Sequence, residues 1–430
     1  MKGLLTHQRF VRVGLRPASS FVRFQHVLQR ASKALPTGTL GAGGFGVTDM
    51  RAELIVPEPG VEKTSFDQGL ESIPNKPAVF LLWPREGKPY LARTNVLRRR
   101  LHRLLGTSER PSRLLNLRGT TTRVEYQLTG SKLESQFLLW ELARQYLGAD
   151  YRKEIRLRLP PYVKLVLTNR FPRTHVTTHL GRAEAIWFGP FRNRSTAALF
   201  DSEFLDLFQL RRCQDDLDPS PDHPGCMYGE MGRCLRPCQM AVGVEEYRAE
   251  ARRVADFLRS GGKSLMEPAS AARDRLSEEM DFEGAAMMHQ RIGRIENALS
   301  LRDEMAGDAN RLNAIAIVPS ASPDSVQLGW LRNGNWQGFT CLEFVPADGR
   351  VASLDARLRE LVTAVPDRRA EPSERTEQLA ILSRWFYSSW RDGEMLLVDD
   401  WNKIPYRKLV NAVSRVSKAA PPTPHPNTHS

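Results

Sequence analysis

The chain has 430 residues, 26% of them charged, and a net charge of +13 at pH 7, a length that allows two to four domains. No apolar run approaches a membrane span, which excludes a membrane-embedded protein. The basic excess points to a polyanionic partner, with nucleic acid the leading expectation, held through its phosphates rather than its bases.

Residues 1–48 hold no Asp or Glu and seven Lys or Arg. They read as a basic, disordered extension over 1–60, with a transit peptide or a true start at Met50 as alternatives. Folded structure is expected from about Pro74. AVFLLW and PYLART read as strands around the turn PREGK. NVLRRRLHRLLG follows with Leu97, Leu101, Leu104 and Leu105 at helical spacing and Gly106 as a stop. A strand near TRVEYQLT and the helix LESQFLLWELARQYL complete a small α/β sandwich over 61–155. YVKLVLTN and AIWFGPF then read as strands leading into a Pro- and Gly-rich loop, the whole spanning 156–241. A helical region, 242–305, contains VEEYRAEARRVADFLRS, PASAARDRLSEEM and FEGAAMMHQRIGRIENAL as an antiparallel pair or trio. From 306 to 417 the strands NAIAIVPS, SVQLGWLRN and GFTCLEFV, with a hairpin signal at Asn333-Gly334-Asn335, precede the helices SLDARLRELVTAV and RTEQLAILSRWFYSSW. The Pro-rich tail, 418–430, is expected to be disordered. The fold class is therefore multidomain α/β plus α.

Cys213, Cys226, Cys234 and Cys238 form a C-x12-C-x7-C-x3-C cluster, and the remaining cysteine, Cys341, lies about a hundred residues on. Four soft donors in one polar loop suit an iron–sulfur cluster or a structural zinc, with His223 able to replace one cysteine in a zinc site. A disulfide pair is the alternative. His175 and His179 are four residues apart in an extended segment, which argues against a shared metal.

The segment GRCLRPC followed by EEYRAEARRVADFLRSG resembles the cysteine-rich region of UvrC, the nuclease subunit of bacterial UvrABC excision repair. That resemblance implies a [4Fe–4S] cluster on all four cysteines. The opening unit resembles the GIY-YIG nuclease domain, with Ala78-Val79-Phe80 and Tyr90-Leu91-Ala92 at the two motif positions. Arg100 falls ten residues after Tyr90. Glu134 and Glu141 are spaced like two glutamates of the family helix, and WFGPFRN resembles its YFGPF segment. The resemblance runs in order from about Pro74 to Trp401. It implies a catalytic site of Tyr90, Arg100 and Glu141. Glu141 would hold Mg²⁺ or Mn²⁺ at the scissile phosphate, Tyr90 would help deprotonate water, and Arg100 would neutralise the developing charge.

The chain departs from the family pattern at Phe80, Ala92, Arg93 and Arg152, where a tyrosine, a glycine, a lysine and an asparagine are usual. EEMDFEGAAMMHQRIGRIE resembles the UVR motif, the helical hairpin that meets UvrB. The implied partner surface comprises Phe282, Glu283, Ala285, Ala286 and Ile292, although His289 and Gln290 replace a usual Arg-Asp. The region from Asn313 to about Val416 resembles the start of the second half of UvrC, and the RNase H-like and helix–hairpin–helix parts are not in the sequence. The resemblance thus implies a shortened cytoplasmic repair nuclease that incises one damaged strand, on the 3′ side. A non-cleaving DNA-binding or scaffold protein is the rival reading.

Overall fold

The computed structural model describes residues 52–55, 63–106, 116–181, 184–214, 216–344 and 352–419. The expected extension and tail lie outside the described residues, apart from a first strand and the end of a last helix.

The opening unit comprises β1 (Ala52–Ile55), α1 (Lys63–Ser72), β2 (Ala78–Pro84), β3 (Tyr90–Thr94), α2 (Leu97–Leu105), β4 (Thr121–Leu128) and α3 (Lys132–Leu147). Its sheet runs β1-β4-β2-β3 with antiparallel pairing throughout. Alternation along β2 sorts its side chains between two cores. Ala78, Phe80 and Leu82 meet Phe66, Leu70, Leu101 and Leu105 on one face; Val79 and Leu81 meet Leu138 and Leu142 of α3 on the other. The α2 leucines recur at helical spacing and are all buried, as an amphipathic helix requires. At the start of α3 the Ser131 hydroxyl accepts the Glu134 N–H, and Glu134 Oε2 accepts the Gly130 N–H at 2.7 Å. The first bond satisfies an amide that the opening helical turn leaves free, and the second ties down the residue before the cap.

The central region contains α4 (Tyr151–Ile155), β5 (Tyr162–Val166), β6 (Thr174–Thr177), β7 (Ala185–Gly189), α5 (Arg194–Leu205), α6 (Met227–Glu230), α7 (Val244–Ser260), α8 (Lys263–Glu278), α9 (Phe282–Ser300) and β8 (Gly307–Asp308). The second sheet is ordered β6-β5-β7-β8. Val163, Leu165, Ile186 and Phe188 form one apolar face, covered by Phe200 and Phe204 of α5, Val254 and Phe257 of α7, and Ile292 and Ile295 of α9. Phe188 and Phe200 stack with centroids 5.0 Å apart. Helix α8 begins before Pro268, where the sequence suggested its start, so the proline sits inside the helix. The turn that launches it is made by Gly261 and Gly262, both at positive φ, a conformation glycine adopts at little cost.

The last part holds β9 (Asn313–Pro319), β10 (Ser325–Arg332), β11 (Asn335–Glu343), α10 (Leu354–Ala364), α11 (Pro372–Phe386), β12 (Glu394–Val398) and α12 (Tyr406–Lys418). Its sheet is ordered β11-β10-β9-β12. Arg332 pairs with Asn335 across a two-residue turn, Asn333-Gly334, with φ of 50° and 68°, the geometry expected of a tight hairpin with this dipeptide. Helices α10 and α12 cover one sheet face through Leu358, Val362, Leu409 and Val413.

The structure makes the expected fold class more specific. All strand pairs among the described residues are antiparallel, so the architecture is α+β rather than α/β. The three sheets also share apolar packing. Leu133, Phe137 and Trp140 of α3 join Tyr162, Trp187, Ala314, Trp336, Leu379 and Trp385 in one cluster. Among the described residues no helix is long and apolar enough to cross a membrane.

Candidate functional site

Tyr90 leads strand β3, and its ring packs on the α2 side of the first sheet. Arg100 lies one turn into α2, and its Nη2 donates to the Tyr90 hydroxyl at 3.3 Å. These two sequence-expected residues therefore meet. Phe80 sits beside Tyr90 at 6.2 Å between ring centroids and is fully buried, so the space around the phenol is apolar on that side. A phenol held by a guanidinium suits contact with a phosphate oxygen, the arginine supplying charge and the hydroxyl a directed hydrogen bond.

Glu141 lies elsewhere. It is carried by α3, which packs on the opposite face of the same sheet, and no contact joins it to Tyr90 or Arg100 among the described residues. Burial raises its carboxyl to about 7, Arg144 opposes the shift, and Glu374 of α11 adds to it. Glu134, two turns earlier, is also raised to about 7 by burial, against the N–H groups of Gly130 and Ser131 that favour its charge.

The α3–α11 seam contains a polar node that the sequence did not announce. Glu377 of α11 is buried and accepts from Trp140 Nε1 at 2.9 Å. It also accepts from the Tyr151 hydroxyl at 2.8 Å and from Arg152 Nε at 2.7 Å. Arg144 pairs with Glu374 at 3.0 Å on the same helix. Arg152, which stands where a catalytic-family asparagine was expected, thus serves as a tie to α11. A cavity of about 600 Å³ opens beside this node, lined by Tyr151, Arg152, Arg156, His179, Pro372 and Glu377 among others.

The cysteine loop lies between α5 and α7. Cys234 and Cys238 are buried, Cys213 and Cys226 are half-buried, and all four stand as free thiols. The Arg236 N–H donates to Cys234 Sγ at 3.4 Å, and Arg211 Nη1 donates to Cys213 Sγ at 3.6 Å. Burial pushes the Cys234 thiol up to about 11, with Cys226, Cys213 and Cys238 adding to the shift. Among the described residues, no three His, Cys, Asp or Glu side chains are already arranged around one metal position.

At the hairpin, α9 starts from an Asp281 cap that accepts the Gly284 N–H at 2.9 Å. Met280, Phe282 and Met287 are 76%, 70% and 62% exposed; Glu283 and Ala286 are also exposed, and Ala285 is half-buried. Ile292 departs from this set. It is buried in the central core and is not offered to a partner.

Residues 161–257, from β5 through the cysteine loop into α7, match the family model of the UvrC/Cho excinuclease middle domain. The chain is UvrC-like. It is 25% identical over 292 residues to the UvrABC system protein C of Lachnospira eligens, covering 66% of this chain and 47% of that protein. It is 27% identical over 277 residues to the UvrABC system protein C of Hyphomonas neptunium, covering 63% and 44%. The chain thus spans less than half the length of these curated relatives. No solved structure matches it. The UvrC-like middle portion encloses all four clustered cysteines and strands β5, β6 and β7 of the second sheet, whereas β8, Tyr90, Arg100, Glu141 and the hairpin tip fall outside it.

The donor chemistry of that portion fits a thiophilic group. Thiols become ligands when a metal supplies compensating positive charge, and the Arg211 and Arg236 donors would support the resulting thiolates. Both a [4Fe–4S] cluster and a structural zinc meet this donor set.

Proposed function

We propose that this UvrC-like chain works in nucleotide-excision repair, binding damaged DNA and incising one strand, on the 3′ side of the lesion, with a Mg²⁺ or Mn²⁺ ion. The observation that carries the incision reading is the Tyr90–Arg100 contact. It supplies a cation and an oriented hydroxyl on one rigid strand–helix corner, which is the arrangement a phosphodiester needs. Arg100 would bind a phosphate oxygen in two-point fashion, and Tyr90 would hold the attacking water or the adjoining oxygen. Glu141 is the carboxylate that the family resemblance assigns to the divalent ion, whose Lewis-acid assistance this reading requires; α3 carries it on the opposite face of the sheet from Tyr90 and Arg100. Cys213, Cys226, Cys234 and Cys238 would hold the cluster or zinc as a structural element, and the exposed α9 tip would meet a UvrB-like protein.

A second reading is favoured by the position of Glu141 across the sheet and by the use of Arg152 as a tie to Glu377. In that reading the chain retains DNA and partner binding without cleavage. Nicking of a lesion-containing duplex separates the two, using anaerobically purified protein under each metal, with and without UvrA and UvrB. Incision predicts a cut beside the lesion that falls by about 10²-fold or more in Arg100→Ala and is lost in Glu141→Ala. Tight binding with no cut under either metal discards the nuclease assignment and leaves the scaffold.

A further inference from the structure

We infer that the cavity between α4, the segment around Leu180 and the start of α11 binds a small organic oxyanion, a molecule with an apolar body and a phosphate or carboxylate head. This goes beyond the repair reading above and does not depend on it. The cavity measures about 600 Å³, the size of a small-molecule site and far more than an inorganic ion needs. Its apolar walls are Ile155, Leu157, Leu159, Leu180 and Pro372. Leu180 belongs to the shared apolar cluster, and Ile155 and Leu157 pack against it. Hydrogen bonds fix these walls in place: the Leu180 N–H donates to Thr376 Oγ1 at 3.2 Å, and the Tyr151 hydroxyl donates to Glu377 at 2.8 Å. The cavity is therefore preformed, which spares a ligand the cost of ordering it.

The polar groups at this opening are mostly donors. Arg152 uses its Nε on Glu377 and Tyr151, and Arg156 uses its Nε on the Lys153 carbonyl at 3.2 Å. Both side chains are exposed, and among the described residues the terminal nitrogens of neither have an acceptor. Helix α11 opens at Glu371 with no side-chain cap, so the first-turn N–H of Ser373, another lining residue, adds a donor. Of the two carboxylates at the cavity, Glu377 already accepts from three side chains and Glu371 is exposed to solvent. Unused donors beside fixed apolar walls call for a ligand that brings its own acceptors. A guanidinium bonds most strongly to the paired oxygens of a phosphate or a carboxylate, and the apolar walls require a body that an inorganic anion lacks.

Fluorescence titration of the full chain with anilinonaphthalene sulfonate, an aromatic anion, and with phenylnaphthylamine, its uncharged relative, tests the site. The wild type should show one saturable site for the anion. Arg156→Gln should weaken the anion by about tenfold and leave the uncharged dye unchanged, while Arg156→Lys, which keeps the charge, should recover most of the affinity. Ser373→Trp, a bulky side chain at an exposed lining position, should remove both dyes without lowering the melting temperature. If that variant melts well below wild type, the Arg156 pair decides alone, since Arg156 is exposed and lies outside the Glu377 node. Competition then identifies the head: phenyl phosphate displacing the anion where octanoate does not assigns a phosphate, and the reverse assigns a carboxylate. Displacement by neither would overturn the oxyanion site and leave an adventitious dye. So would equal binding of the anion by wild type and Arg156→Gln, or the absence of a saturable site in the wild type.

Discussion

At the scale of single residues, the side chains that join distant parts of the chain are charged or aromatic rather than simply apolar. Glu377 is the clearest. Its carboxylate satisfies a buried indole, a phenol and a guanidinium contributed by residues more than two hundred positions earlier. Glu377→Ala would leave the buried Trp140 N–H without its acceptor and remove the partner of the half-buried Tyr151 hydroxyl, at a cost of about 1–3 kcal/mol. Arg152→Ala should cost only about 0.5–1 kcal/mol, because that side chain is more than half exposed and solvent screens the pair. Denaturant melts of the two variants check the ranking; a larger loss in Arg152→Ala would refute the view that Glu377 is the centre of the node. None of this was legible in the sequence. A glutamate in RTEQLAILSRWF looks like any helix-surface acid, and its partners are set by packing between helices rather than by local spacing. The Tyr90–Arg100 contact was readable, since both residues belong to one strand–turn–helix unit whose register follows from short-range pattern.

At the scale of elements, agreement between sequence and structure follows how local the signal is. Helix α2 carries its burial in its own leucine spacing, and the β10–β11 hairpin is written in Asn333-Gly334, where two positive φ values are needed. The cap on α3 is likewise present as Ser131-Lys132-Leu133-Glu134, although its hydrogen bonds had to be seen to be assigned. Strand β12 gave no comparable signal: it is short and half-buried, and it pairs with β9 only after two intervening helices. Helix α9 shows the same divide within one element. Its periodicity marks an apolar stripe without saying which part of the stripe the chain covers itself. Phe282→Ala should shift stability by no more than about 0.5 kcal/mol while weakening capture of a UvrB-like protein. Ile292→Ala, by contrast, should cost about 2–4 kcal/mol through an uncollapsed cavity. Paired melts and pull-downs with UvrB test this division, which fails if Phe282→Ala unfolds the chain or leaves capture unchanged.

At the scale of the whole molecule, the shared cluster around Phe137, Trp187, Trp336 and Trp385 ties all three sheets together. Phe137 stacks on Trp336 with centroids 4.2 Å apart and an interplanar angle of 5°. Heat or urea should therefore unfold the nuclease-like and C-terminal parts in one transition, with tryptophan fluorescence and far-ultraviolet circular dichroism coinciding. Two separated transitions would show that this cluster does not couple them. Sequence reading divided the chain into successive domains because each sheet has its own local pattern. The apolar residues of α3 that face away from the first sheet are indistinguishable, in sequence, from those that face it.

The two-sided packing of α3 also bears on how such a chain can change over generations. Leu138 and Leu142 serve one core while Phe137 and Trp140 serve another, so most substitutions along the helix are opposed for reasons unrelated to chemistry. Selection on stability alone would preserve the opening unit whatever becomes of its Tyr90–Arg100 corner. Deleting that unit would strip α3 from the shared core, so the unit would be kept as part of the frame independently of any activity it carries.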